Sequence, residues 1–292
     1  MARTTRVLAE GIYFGEGPRW RQGRLWFSDF YAQAVKSVSP AGDLITEFTL
    51  DDRPSGLGWM PDGSMLIVSM VKRQVLRRFP DGRMAIHADL SGIATFHCND
   101  MVVDAHGNAF VGNFGFDLDA ELVARGPESV LADHPTAKLA CVAPDGAVRM
   151  AAEQMHFPNG SVITPDGRTL IVGETLGAAL TIFDLAADGT LSDRRLWAST
   201  APRLPDGICL DAEGRIWIAN PLAPECALIA FGGEVIEVID TGKPCYACML
   251  GGEDGRTLHM LTAETSISHE AAARPAGKLL VATVDVPGAG RP

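Results

Sequence analysis

Long apolar runs are missing from this chain. No stretch of its 292 residues approaches the length of about eighteen apolar residues that a membrane helix needs, so none is expected. Cations are scarce as well. Lys and Arg number 25 against 36 Asp and Glu, a net charge of −11, which argues against a binder of nucleic-acid backbones. The first residues, MARTTRVLAEGIYFGEG, hold no apolar core of signal-peptide length. A cytoplasmic protein with buried thiols rather than disulfides is therefore expected from the six cysteines. Cys245-Tyr-Ala-Cys248 has redox or zinc spacing, but no second such motif exists and no thioredoxin-like helix follows it. The chain also has no G-x-S-x-G elbow, Walker loop or dinucleotide glycine pattern, which removes the commonest serine hydrolases and nucleotide binders. Helical periodicity is almost absent.

What the sequence does contain is a repeat. GEGPRWRQGRLWFSD begins at Gly15, SGLGWMPDGSMLIVS at Ser55 and NDMVVDAHGNAFVGN at Asn99. NGSVITPDGRTLIVG begins at Asn159, DGICLDAEGRIWIAN at Asp206 and ACMLGGEDGRTLHML at Ala247. Each unit is an apolar stretch, a turn ending in glycine and a second apolar strand. The turn glycines Gly23, Gly63, Gly107, Gly167, Gly214 and Gly255 stand 40, 44, 60, 47 and 41 residues apart. A second strand–turn–strand segment, such as QVLRRFPDGRMAIHADL, follows the first in most units. Four strands per unit at this spacing predict an all-β chain, a six-bladed β-propeller with four antiparallel strands per blade in one domain over residues 1–292. After the last unit one clear strand remains, Lys278 to Val286. The N-terminal segment RTTRVLAE is expected to supply its partner and close the ring. The long spacing holds an acidic insertion, residues 115–137, which is either a tolerated surface excursion or a lid over one end of the channel.

Counting eight residues back from each turn glycine (seven in the first unit) gives Glu16, Ser55, Asn99, Asn159, Asp206 and Ala247. These should precede the innermost strands and converge at one mouth of the channel. Glu16, Asn99, Asn159 and Asp206 form an all-oxygen set carrying two negative charges, which suits one hard divalent cation. Calcium fits asparagine carbonyls best, and residue type leaves magnesium, manganese, zinc or iron(II) open, although no His and Cys set with zinc spacing is present. Asn-Gly and Asp-Gly are also ordinary turn formers. Glu16 is not, yet it shares the slot.

GEGPRW, the CND within Phe96–Asp100, FPNG, LPDG and the late CMLGG together resemble the senescence marker protein, gluconolactonase and luciferin-regenerating enzyme family across essentially the whole chain. That resemblance implies a six-bladed propeller with one catalytic divalent metal held by Glu16, Asn159 and Asp206. It implies that Asn99 is a substrate contact, as in the lactonases, or a direct ligand, as in the related fluorophosphatases. Sugar-lactone members are similar to R-x-N-D where this chain has His97. Histidine cannot form arginine's bidentate fork, so a more apolar lactone gains weight over a simple aldonolactone.

The expected activity is hydrolysis of a small-molecule lactone. The metal polarises the carbonyl and activates water, and Asp206 serves as base, or purely as a ligand. His97, Asn99, Asp100, Phe114, His156 and His269 are the candidate substrate contacts. Asp100 stands where four of the other five units have glycine, and is read as a support for Asn99 or an anchor of its turn. A phosphotriesterase using the same site and a non-catalytic calcium-binding propeller are the alternatives. The chain is expected to be a monomer or small homo-oligomer without nucleic-acid or membrane partners.

Overall fold

A computed structural model describes residues 3–291 and arranges them as six four-stranded antiparallel sheets around a central channel. The six-bladed propeller is therefore as the repeat predicts. The inner strands are Gly15–Arg21, Pro54–Trp59, Cys98–Val103, Pro158–Ile163, Ile208–Leu210 and Cys245–Gly251. In blade 6 the N-terminal strand Arg6–Ile12 pairs with Gly277–Thr283 as the outermost strand, which closes the ring and leaves no open edge there.

Each of the six contacts between neighbouring blades has its own apolar cluster. Leu66, Val68 and Val75 of blade 2, for example, pack on Met101, Val111 and Val142 of blade 3. Trp217 and Leu228 of blade 5 pack on Cys248, Leu258 and Met260 of blade 6. A seventh cluster, mainly aromatic, lies at the mouth: Phe14, Phe30, Met70 and Tyr246. All six cysteines are buried free thiols, and the Sγ atoms of Cys209 and Cys248 are 3.9 Å apart between blades 5 and 6.

The glycines that follow the slots are demanded by this packing. A Cβ on Gly160 would lie 2.5 Å from the Asp206 carbonyl oxygen, and one on Gly207 would lie 2.7 Å from the Ala247 Cα. Neighbouring inner strands thus touch backbone to backbone, and the Gly160 amide donates to the Asp206 carbonyl while that of Gly207 donates to Tyr246.

The insertion is helical, which its sequence shows only in local signals. Helix α1 spans Leu118–Arg125, with Asp117 accepting from the Ala120 amide as its cap and Glu121 pairing with Arg125 one turn on. Gly126, at φ 76°, turns the chain into helix α2, Pro127–Ala132, with proline at its first turn. A single helical turn, α3 (Ser268–Ala271), lies between the strands Thr257–Thr262 and Gly277–Thr283 of blade 6.

Candidate metal centre and substrate cavity

The slot residues lie one step further along than expected. Glu16, Ser55, Asn99 and Asn159 are the second residues of their inner strands, and only Asp206 precedes its strand. Strand pairing is irregular just after Glu16, Asn99 and Asn159, which lets these side chains turn toward the channel axis. Glu16, Asn99, Asn159 and Asp206 all line one cavity of about 390 Å³, and each is 3–7% exposed. Ser55 and Ala247 do not line it.

The four oxygen donors differ in what already holds them. The Asn159 amide donates to the Thr175 hydroxyl at 3.1 Å, and that hydroxyl donates to the Pro205 carbonyl at 2.8 Å. This fixes the amide and leaves Asn159 Oδ1 buried without a hydrogen-bond partner. Asp206 Oδ1 is buried and unpartnered in the same way. The Glu16 carboxylate accepts only the Gly17 amide, at 3.3 Å. Asn99 Oδ1, by contrast, receives the Ser55 hydroxyl at 3.4 Å.

Burial drives the Glu16 carboxyl well above its usual range, and the nearby Asp206 and Asp100 add to the effect. Burial does the same to Asp206, with Asp100 adding repulsion and the Asn159 amide opposing it. Two buried acids that resist ionisation together, beside two orphaned oxygens, form a set that a divalent cation satisfies and that protein groups do not. Among the described residues no group of three or more His, Cys, Asp or Glu gathers as a metal site. The cause is chemical: half of this oxygen set comes from asparagine.

Asp100 does not face the cavity. Its carboxylate accepts from Arg19 Nη2 and from the Met101 amide, both at 2.8 Å. Arg19, 4% exposed, also donates to the Leu57, Pro18 and Met101 carbonyls, tying together the inner strands of blades 1, 2 and 3. These bonds fit the anchoring role for Asp100, with its Oδ1 turned to Arg19 and its own strand. Arg19 itself escaped the sequence reading.

His156 and His269 are exposed and stand outside the cavity wall. The His156 ring meets His134 at 2.9 Å, so it joins the end of the insertion to blade 4. His269 sits on α3, beside Ser268, which does line the cavity. His97 and Phe114 line the cavity as expected. His97 stacks on Phe96 at 4.1 Å, and burial, helped by Arg53, lowers its pKa. At neutral pH it offers a hydrogen bond without a charge.

The rest of the wall is largely apolar: Phe14, Phe30, Tyr31, Phe157, Leu204 and Tyr246. Phe157, in FPNG, is held at φ 59°, a left-handed conformation that bulky residues avoid and that aims its ring at Phe114, 4.5 Å away. Leu118, Leu122, Val130 and Leu131 of the insertion complete the cavity, whereas Phe116 turns away toward His134. The insertion leaves blade 3 and reaches the opposite side of the ring, where Asp119 accepts from the Ser268 amide of blade 6 at 3.1 Å.

Residues 14–264 match the SMP-30/Gluconolactonase/LRE-like region. The chain belongs to this family. It is 28% identical to a regucalcin of Danio rerio over 293 aligned residues, covering 92% of this chain and 89% of the relative. It is 27% identical to pentonolactonase XacC of Haloferax volcanii, covering 74% and 69%. Among solved structures, a calcium-binding protein, regucalcin, of Agrobacterium tumefaciens superposes with a TM-score of 0.80 at 22% identity, covering 100% of this chain and 97% of that one. No helix among the described residues is long and apolar enough to cross a membrane.

Proposed function

We propose that this protein hydrolyses a lactone, using one divalent cation held by Glu16, Asn159 and Asp206. The observation that carries this reading is the pair of buried, unpartnered oxygens, Asn159 Oδ1 and Asp206 Oδ1, beside the buried Glu16 carboxyl on the floor of an apolar cavity. When bound, such a cation supplies Lewis-acid polarisation of a carbonyl and a lower pKa for water. Calcium is the preferred ion, on the asparagine donors and on the description of the Agrobacterium relative as calcium-binding. The lactonase activity named for XacC points to the reaction class.

The chain's own residues then divide the work. Asp206 takes the proton from the attacking water as general base, being a carboxylate placed beside the cation. Glu16 offsets cation charge. Asn99, held by Ser55, and neutral His97 donate hydrogen bonds that orient the ester. Asp100 and Arg19 fix the strands beneath, and the insertion serves as a lid that excludes water. Six buried free thiols fit a reducing compartment, so we place the protein in the cytoplasm.

A panel of alkyl, aryl and sugar lactones, assayed before and after chelation, tests this reading. Turnover should vanish with the metal and return on its readdition. Lactone hydrolysis that survives complete metal removal sinks the mechanism. A metal-loaded protein inert to every lactone but active on organophosphate triesters replaces the substrate class.

A further inference from the structure

The repeat defines a second ring directly above the first. Two residues before Glu16, Ser55, Asn99, Asn159 and Asp206 stand Phe14, Arg53, His97, Phe157 and Leu204. All five line the cavity. Alternate residues of an extended segment share a face, so one slot register supplies the floor and the other the wall. Three members of the wall ring are apolar, burial lowers the His97 pKa, and among the described residues Arg53 is the one fixed positive charge on the cavity lining.

Arg53 has no protein partner to explain it. Among the described residues no carboxylate lies within 4.0 Å of its guanidinium and no side-chain hydrogen bond is formed by it; its only contact of note is a stack over the Tyr31 ring at 5.1 Å. The neighbouring acids are each engaged elsewhere. Asp52 accepts from the Ser69 hydroxyl and the Lys72 amide, Asp117 caps α1, and Asp119 accepts from Ser268. A half-buried guanidinium that stands over an aromatic ring on the lining of a cavity, with no side-chain hydrogen bond among the described residues, suits a planar anion. Asp117 and Asp119 on the same lining repel anionic charge, which favours a singly charged carboxylate over a dianionic phosphate beside Arg53.

We propose that Arg53 is the specificity-determining residue of this cavity, and that the substrate is an apolar or aryl lactone that also carries a carboxylate. The ester lies over Asn159 and Asp206, the apolar body against Phe14, Phe157 and Leu204, and the carboxylate on Arg53. This inference rests on the lactonase reading for the word lactone, but the anion subsite does not.

The test compares a phenyl-substituted γ-butyrolactone carboxylic acid with its carboxamide. The wild type should prefer the acid by at least tenfold in kcat/KM, mainly through KM, from one charge-assisted bidentate contact of ordinary strength. Arg53→Gln should bring the ratio to about one, and Arg53→Lys, which keeps the charge but loses the fork, should leave an intermediate ratio. A ratio unchanged in Arg53→Gln, or a wild type that prefers the amide, overturns the proposal. If no lactone is turned over, the lactonase reading fails by itself. The subsite is then judged by titrating 4-phenylbutyrate and 4-phenylbutyramide into the folded wild type and Arg53→Gln. Preferential binding of the acid that Arg53→Gln abolishes upholds the anion subsite, and equal affinity of the two compounds for the wild type overturns it.

Discussion

The two ends of the central channel are built from the same six inner strands and have opposite chemistry. At the mouth, the slot residues leave buried oxygens unpaired around a cavity of about 390 Å³. At the base, where the turn glycines lie, backbone hydrogen bonds tie the blades together. The C-terminal segment crosses that end: the Ile163 and Arg291 backbones exchange hydrogen bonds at 2.8 Å, the Ala289 amide donates to Leu210, and the Ala212 amide donates to Pro287. Trp20 covers Gly251 and stacks on the buried His259 at 5.3 Å. One end spends its polar groups on stability, and the other withholds them for a ligand. A repeat that is nearly uniform along its strands diverges where the inner strands begin.

Four changes sharpen or break this contrast. The largest effect is expected at the mouth. Asp206→Asn should lower lactone kcat/KM by about 10²–10⁴, the usual worth of a positioned general base, while circular dichroism stays native. Wild-type rates would remove Asp206 from the chemistry. At the base, ending the chain at Val284 should reverse the pattern. Losing the four backbone bonds named above and that of the Gly288 amide to Gly255, at about 1 kcal/mol each, should cost roughly 5 kcal/mol in urea unfolding, with the KM of the folded fraction unchanged. A raised KM with native stability would mean that the ends are not separable.

His259 gives the base its own pH dependence. Burial lowers its pKa from 6.5 to about 4, while hydrogen bonds to the Met249 and Thr257 backbones oppose that shift. A base whose folded pKa is depressed stabilises the fold above its unfolded pKa, because the unfolded chain takes up the proton first. The contribution should therefore fade as pH drops from 6.5 toward about 4, to a total of about 3 kcal/mol at 1.36 kcal/mol per pH unit. Urea unfolding of the wild type and His259→Gln across that range should give a steeper slope for the wild type; equal slopes would refute the assignment. The smallest effect belongs to the insertion. Asp119→Ala removes the bond to Ser268 across the mouth and should raise KM about fivefold, from about 1 kcal/mol of lost lid closure, with no change in unfolding.

The propeller was legible because propeller blades must repeat. The turn glycines, the spacing and the missing outer strand of blade 6 together lead to the ring and to its closure by Arg6–Ile12. The floor of the cavity was legible for the same reason, since Glu16, Asn159 and Asp206 share a register. The walls were only partly so. Arg53 stands two residues before Ser55, a slot without ligand chemistry, so attention to the floor passed over it. Thr175, which orients Asn159, opens the turn after the next strand of the same blade and carries no motif. Asp100 and His156 were read by their nearness in sequence to the slots. A side chain's direction decides its role, and Arg19 and His134 draw these two away from the cavity.

We propose that the mouth is left unpaired in order to hold a cation. Calorimetric titration of calcium into chelator-treated protein tests it most directly, comparing the wild type with Asp206→Asn and Glu16→Gln. One site per wild-type chain is expected, with binding lost or weakened at least a hundredfold in both variants. Equal affinity in all three proteins, or no binding of calcium, magnesium, manganese, zinc or iron(II) to the wild type, would contradict it.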